Sequence, residues 1–352
     1  VNFTLRKSHL LLLFALNFIA CDTEIPEQSV RMEAEIFEFK GEKVVVPTNF
    51  PKGLFSQSAE DFDLYYAKMS GSKTGRISGD EKVIDGNELS NILEANLKNY
   101  PKVNYDQDIS ENDLNRIFKD FPGITTKEQA LSKVELIFEY YNTLCKKDVV
   151  DDVIYFEQND KGNGRVAGIS PSSLTVPERN HLISNPAYAE RYRAAANYAD
   201  SLTLNAYYSE DDDRKGNAFK HSVWNALAIR YILKGVPTNE NQAIDFVQDG
   251  TSKHEMDDNG NQIKNRKAAM DLHNNMSARQ WMEINTKWGI GFLRKMPDEQ
   301  EIINTMMSRA NSSGRHEMVD ILNWHGGDND NTWNNLYNNM YSPNEHLVHI
   351  EP

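Results

Sequence analysis

Three short segments in the second half of the chain set imidazoles, carboxylates and amides among large apolar residues. The first reads Asn217-Ala-Phe-Lys-His221-Ser-Val-Trp224-Asn225. On a helix, Asn217, His221 and Asn225 fall at i, i+4 and i+8 and form one polar stripe. Phe219, Val223, Trp224, Leu227 and Tyr231 cover the remaining arc. A helix that apolar is mostly buried, so the stripe faces protein or a cleft, and its polar groups need partners. The second segment is His254-Glu255. It opens like the zinc-protease pattern H-E-x-x-H, but the fifth position is Asp258, so the second histidine ligand is missing. The third runs from Met270 to Arg279. On a continuous helix Asp271, Asn274, Asn275 and Arg279 share one face, and His273 lies about 200° round from Asp271.

One cluster holding His221, His254, Glu255 and Asp271 supports two chemistries. His221, His254 and Asp271 can ligate a divalent metal such as zinc, leaving a position for an activated water with Glu255 as base. Without a metal, His221 or His254 can act as a general base oriented by Asp271. In either case Asn217, Asn225, Asn274, Asn275 and Arg279 are the candidates for holding substrate. A third reading is bland: the same residues form a buried hydrogen-bond network that fixes helix register in a non-catalytic protein.

The three blocks, in this order, resemble an uncharacterised bacterial domain family. It occurs in secreted proteins, in lipoproteins and in toxin-associated proteins, and carries N-A-F-R-H-x-x-W, H-E and M-D-L-H-N-N blocks. Lys220 stands where the family has Arg, and Ala278 where a Gly often follows the last block. The resemblance covers roughly the last half of the chain. It implies a mainly helical domain with a His/Glu/Asp/Asn cluster and no settled activity.

Positioning those blocks requires helices, and the pattern supplies them. Thr175-Val-Pro177-Glu178 caps and opens one helix, Asn185-Pro186 breaks it, and a second runs from Pro186 to about Leu204. Further helices are expected near 217–233, 239–248, 265–288, 298–310 and 331–341, with a closing strand at Leu347–Ile350. Nearer the N-terminus, Met32, Ala34 and Ile36 alternate with polar residues, and Val44-Val45-Val46 follows Gly41, as strands would. Leu89, Ile92, Leu93 and Leu97 then repeat at helix spacing. Ser110–Asp113 and Thr125–Glu128 read as capping boxes. Leu131, Val134, Phe138, Tyr141 and Cys145 fall on one helix face, which makes Cys145 a core residue rather than a nucleophile. The fold class expected is mainly α: a helical C-terminal domain over 175–352 preceded by a smaller α+β domain over 31–156. A Gly/Ser/Asn/Pro-rich linker over 157–174 joins the two.

The first residues read as an address. Arg6 and Lys7 precede an apolar run from Leu10 to Ala20, which has the parts of a secretory signal over 1–20. As a helix that run rises only about 16 Å, short of a bilayer core of roughly 30 Å. Phe18-Ile19-Ala20-Cys21 resembles the bacterial lipoprotein lipobox, which implies an acylated Cys21. The expected product is a chain tethered by residues 21–30 to a membrane of the cell envelope, acting on an envelope or extracellular substrate. Loss of Arg6 and Lys7 leaves the body more acidic still. The whole chain of 352 residues carries 38 Lys+Arg against 52 Asp+Glu, a net charge of −14. That balance excludes nucleic acid as the expected partner. Two cysteines, Cys21 and Cys145, exclude a disulfide framework. The acidic stretches at Asp257–Asn261 and Asp328–Asp330 lack the glycine and glutamate of a calcium loop. No nucleophile elbow, phosphate-binding loop or dinucleotide fingerprint occurs.

Overall fold

Lys40 and Gly41 both take positive φ, 49° and 83°, as a tight hairpin turn requires, and they join β1 (Ala34–Phe39) to β2 (Glu42–Pro47) in an antiparallel pair. The structure is a computed structural model. It describes residues 34–56, 58–71, 84–159, 174–208, 214–287, 289, 293–339 and 345–351. The signal, the lipobox Cys21 and the tether lie outside the described residues. The face of β1 that packs inward carries Phe37 and Phe39, whereas Ile36 is exposed, so the hairpin uses the face opposite to the Met32–Ala34–Ile36 alternation. Phe37 and Phe39 meet Phe55, and Phe55 stacks on Tyr140 at 6.0 Å; this aromatic cluster outweighs the burial of Ile36.

Helices follow: α1 (Ala59–Ser70), α2 (Gly86–Leu97), α3 (Glu111–Asp120), α4 (Lys127–Ser132) and α5 (Val134–Asn159). Asp85 and Glu88 close a full capping box on α2, and Ser110 caps α3. The box on α4 is formed by Thr126 and Gln129, one residue later than Thr125 and Glu128. Lys133 breaks the continuous helix expected there, so Leu131 is exposed while Val134, Tyr141 and Cys145 are buried on α5. Burial also pushes the Cys145 thiol up, as a core residue's would be. Because α5 runs on to Asn159, the start of the expected linker is helical; residues 160–173 lie outside the described residues.

The second half comprises α6 (Val176–Ser184), α7 (Pro186–Tyr207), α8 (Lys215–Gly235), α9 (Glu240–His254), α10 (Arg266–Asn285), α11 (Glu299–Asn311), β3 (Gly314–Arg315), α12 (Met318–Trp324), α13 (Asp330–Asn338) and β4 (Val348–His349). Thr175 caps α6 and Pro186 starts α7, as the sequence indicates. The closing strand is two residues long and pairs in parallel with β3. The molecule is thus mainly helical with a small sheet near its N-terminus. At its centre α8 packs against α7, α9, α10 and α11 and is buried around its girth, Ala226 to Ile229 included. One apolar cluster runs from Phe39 through to Leu347; a second joins α10 to α12, α13 and β4. No helix among the described residues is long and apolar enough to cross a membrane.

Candidate functional site

The stripe on α8 faces α10 and the end of α9. Arg279 fixes everything above it, because a guanidinium offers only donors. Its Nη1 donates to Asn225 Oδ1 at 3.0 Å and to Thr251 Oγ1 at 3.1 Å. The Asn225 amide is thereby oriented. Its Nδ2 donates to Asn275 Oδ1 at 2.7 Å and to the His221 carbonyl at 2.9 Å. Asn275 Oδ1 lies 3.2 Å from His221 Nδ1, so the proton of that contact belongs to Nδ1. Burial, with the charges of Lys220 and His254, holds the His221 imidazole well below its usual range and neutral at pH 7. The lone pair is therefore on Nε2, which lies 3.4 Å from Asp271 Oδ1. Asn217 Nδ2 donates to that same oxygen at 2.8 Å.

His221, Glu255 and Asp271 each bring one ligand atom to within 4.8 Å of the others. Such a group can hold a divalent ion with a position left open for water. Here the geometry replaces one expected ligand with another. His254 was expected beside His221 and Asp271, with Glu255 as base, but Glu255 takes that place. The reason is the length of α9, which extends to His254 instead of stopping at 248. That makes Glu255 the C-cap and aims His254 at a different partner.

That partner is Glu178, which the sequence marks only as part of a helix cap and not as a site residue. His254 Nδ1 lies 2.8 Å from Glu178 Oε2, and Tyr192 donates to the other carboxylate oxygen at 3.2 Å. Glu178 is fully buried, and His254 is partly exposed. Burial works against the imidazolium of His254, yet the charge and hydrogen bond of Glu178, with Glu255, outweigh it and push His254 up to about 9. Trp224 packs beside both imidazoles, its ring 6.1 Å from His221 and 5.4 Å from His254.

Asn274, expected to hold substrate, does something else. Its Nδ2 donates to the Val348 carbonyl at 3.0 Å and its Oδ1 accepts from Val348 N at 2.9 Å, so it docks β4. His273 points the other way, as the helical wheel requires, with Nδ1 3.1 Å from His325 Nε2 and Nε2 donating to the His346 carbonyl. Asn217, Asn225, Asn275 and Arg279 remain with the cluster.

Residues 179–314 match the family model of a domain of unknown function, DUF6973. No curated protein and no solved structure matches the chain. The matched span contains all three blocks and supports an uncharacterised domain family. It starts one residue after Glu178 and leaves out the hairpin and α1 to α5.

Proposed function

We propose that this protein is an exported, lipid-anchored hydrolase that works with a divalent cation held by His221, Glu255 and Asp271. The convergence of these three side chains, with the His221 lone pair turned toward Asp271 by the Arg279–Asn225–Asn275 relay, is the observation that carries the reading. A bound zinc-like ion would supply a water acidic enough to attack at neutral pH. His254, oriented by Glu178 and with its ring centre 6.4 Å from that of His221, is the proton donor to a leaving group. Asn217 steadies Asp271. The signal-like and lipobox-like pattern in residues 1–21 supports a substrate in the envelope or outside the cell.

The test is the metal content of the purified full chain by plasma mass spectrometry. About one divalent ion per chain is expected, lost in His221→Ala and Asp271→Ala while circular dichroism is retained. Absence of stoichiometric metal after incubation with zinc or manganese would overturn the reading. The non-catalytic alternative has one observation in its favour: Asn225, Thr251 and Arg279 are fully buried and tie α8, α9 and α10 together. Under it, both variants unfold the protein rather than emptying a site. Anchoring is tested separately: Cys21→Ser should move the protein from the membrane fraction to the soluble one.

A further inference from the structure

Among the described residues, four of the ten buried side-chain atoms without a hydrogen-bond partner lie on the two helices that meet at Asn225. They are Trp224 Nε1 beside it on α8, and Asn275 Nδ2, Arg279 Nε and Arg279 Nη2 across from it on α10. Every one is an N–H donor. Arg279 is the most telling, because it has no exposed surface and its Nη1 reaches only the neutral oxygens of Asn225 and Thr251. Arg179 is equally buried, and it pairs with Glu157 at 2.8 Å; Arg294, nearly as buried, pairs with Glu240 at 2.9 Å. A buried guanidinium without a bound carboxylate, on helices that also carry an amide and an indole donor lacking acceptors, is short of negative oxygen.

We propose that this cluster receives an oxyanion: a phosphate, sulfate or carboxylate group whose oxygens accept from Arg279, Asn275 and Trp224. The inference deepens the hydrolase reading by naming the charged group of the substrate, and it rests on that reading for taking this face of α8 as the ligand side. A metal ion, an ammonium group or an apolar ligand would leave all of these donors unmet. Two observations set the direction of approach. His254 and Glu255 are partly exposed at the end of α9, and the Trp224 indole lies 5.4 Å from the His254 ring. An oxyanion beside the His221–Glu255–Asp271 group would present the adjoining ester or amide bond to that group.

The experiment is calorimetric titration of the full chain with inorganic phosphate, sulfate and acetate, before and after zinc loading. Saturable binding of at least one is expected in both forms, and the anion preferred identifies the substrate's head group. Trp224→Phe keeps an aromatic ring and removes the indole N–H donor, so it should weaken that binding about tenfold or more. Arg279→Lys serves as the second variant if Trp224→Phe does not fold. Wild-type protein that binds no oxyanion in either form, or binding indifferent to these substitutions, overturns the proposal and leaves buried water as the partner of the donors. Zinc uptake, read in the same samples, separates the two ideas. Zinc without oxyanion sinks this inference alone, whereas oxyanion without zinc supports it and sinks the metal reading.

Discussion

His221 and His254 have ring centres 6.4 Å apart, yet their surroundings shift them in opposite directions, leaving one neutral and the other cationic at pH 7. Burial keeps His221 neutral, and its Nδ1 proton is held by Asn275. Glu178 keeps His254 cationic against that same burial. Two titratable groups separated in this way are what acid–base chemistry at neutral pH needs. Substitution tests the cause directly. In metal-free Glu178→Gln the hydrogen bond can persist but the charge is gone, so burial prevails and His254 should titrate well below its value of about 9. Imidazole NMR shifts followed against pH measure this, and an unchanged midpoint would show that Glu178 is not the cause. Asn275→Ala removes the acceptor that fixes the His221 tautomer. Zinc affinity should then fall roughly 10–100-fold with the fold intact. Equal affinity in the variant would mean that the relay does not orient the ligand.

At the scale of elements, α10 has two working sides. One carries Asp271, Asn275 and Arg279 toward α8, and the other carries Asn274 and His273 toward β4 and α12. In Asn274→Ala the N–H and C=O of Val348 both lose their partner inside the protein. Two buried backbone groups left unmet should cost about 2–5 kcal/mol. Denaturant melts should show this loss, and limited proteolysis should show residues 345–351 released, while zinc binding is retained; a melt like the wild type's would mean that β4 docks by apolar contact alone. This division also shows what a sequence can disclose. Helix starts at Asp85, Ser110, Thr175 and Pro186 are legible because a cap acts within three or four residues. The stripe Asn217–His221–Asn225 is legible because helical spacing is local. Glu178 is not legible, since it meets His254 across 76 positions of chain and lies in an ordinary helix start. The role of Asn274 is hidden for the same reason, as it depends on where β4 returns.

Across the whole molecule, α6 joins the two halves through consecutive buried charges. Glu178 turns to His254, and Arg179 turns to Glu157 on α5, which also accepts from Tyr66 of α1 and from the backbone of Ile84 ahead of α2. The N-terminal helices therefore brace the helix that orients His254, although the matched domain begins at 179. A molecule tied together in this way should respond to pH as a unit, and its buried histidines set the sign. His181, whose Nε2 donates to the Phe246 carbonyl, and His325, beside His273, are both lowered to about 4, chiefly by burial. Unfolded, each takes its proton near pH 6.5. Above that pH both states are neutral and stability is complete. Below it the unfolded chain gains protons that the folded chain refuses, so each histidine removes stability with a slope that rises toward about 1.4 kcal/mol per pH unit until its folded value is approached. His254 does not oppose this slope, because it is cationic in both states at acid pH; its own contribution is present below about 6.5 and is lost as pH rises through about 9. Urea midpoints compared between about pH 6.5 and 5.5, above the range where most carboxylates titrate, isolate the histidines. Stability should fall across that interval, and His325→Gln should reduce the fall by roughly 1 kcal/mol, because the unfolded imidazole goes from half to almost fully protonated over it. A variant with the wild-type slope would mean that His325 accepts its proton in the folded protein, and that the packing around α12 opens to admit it.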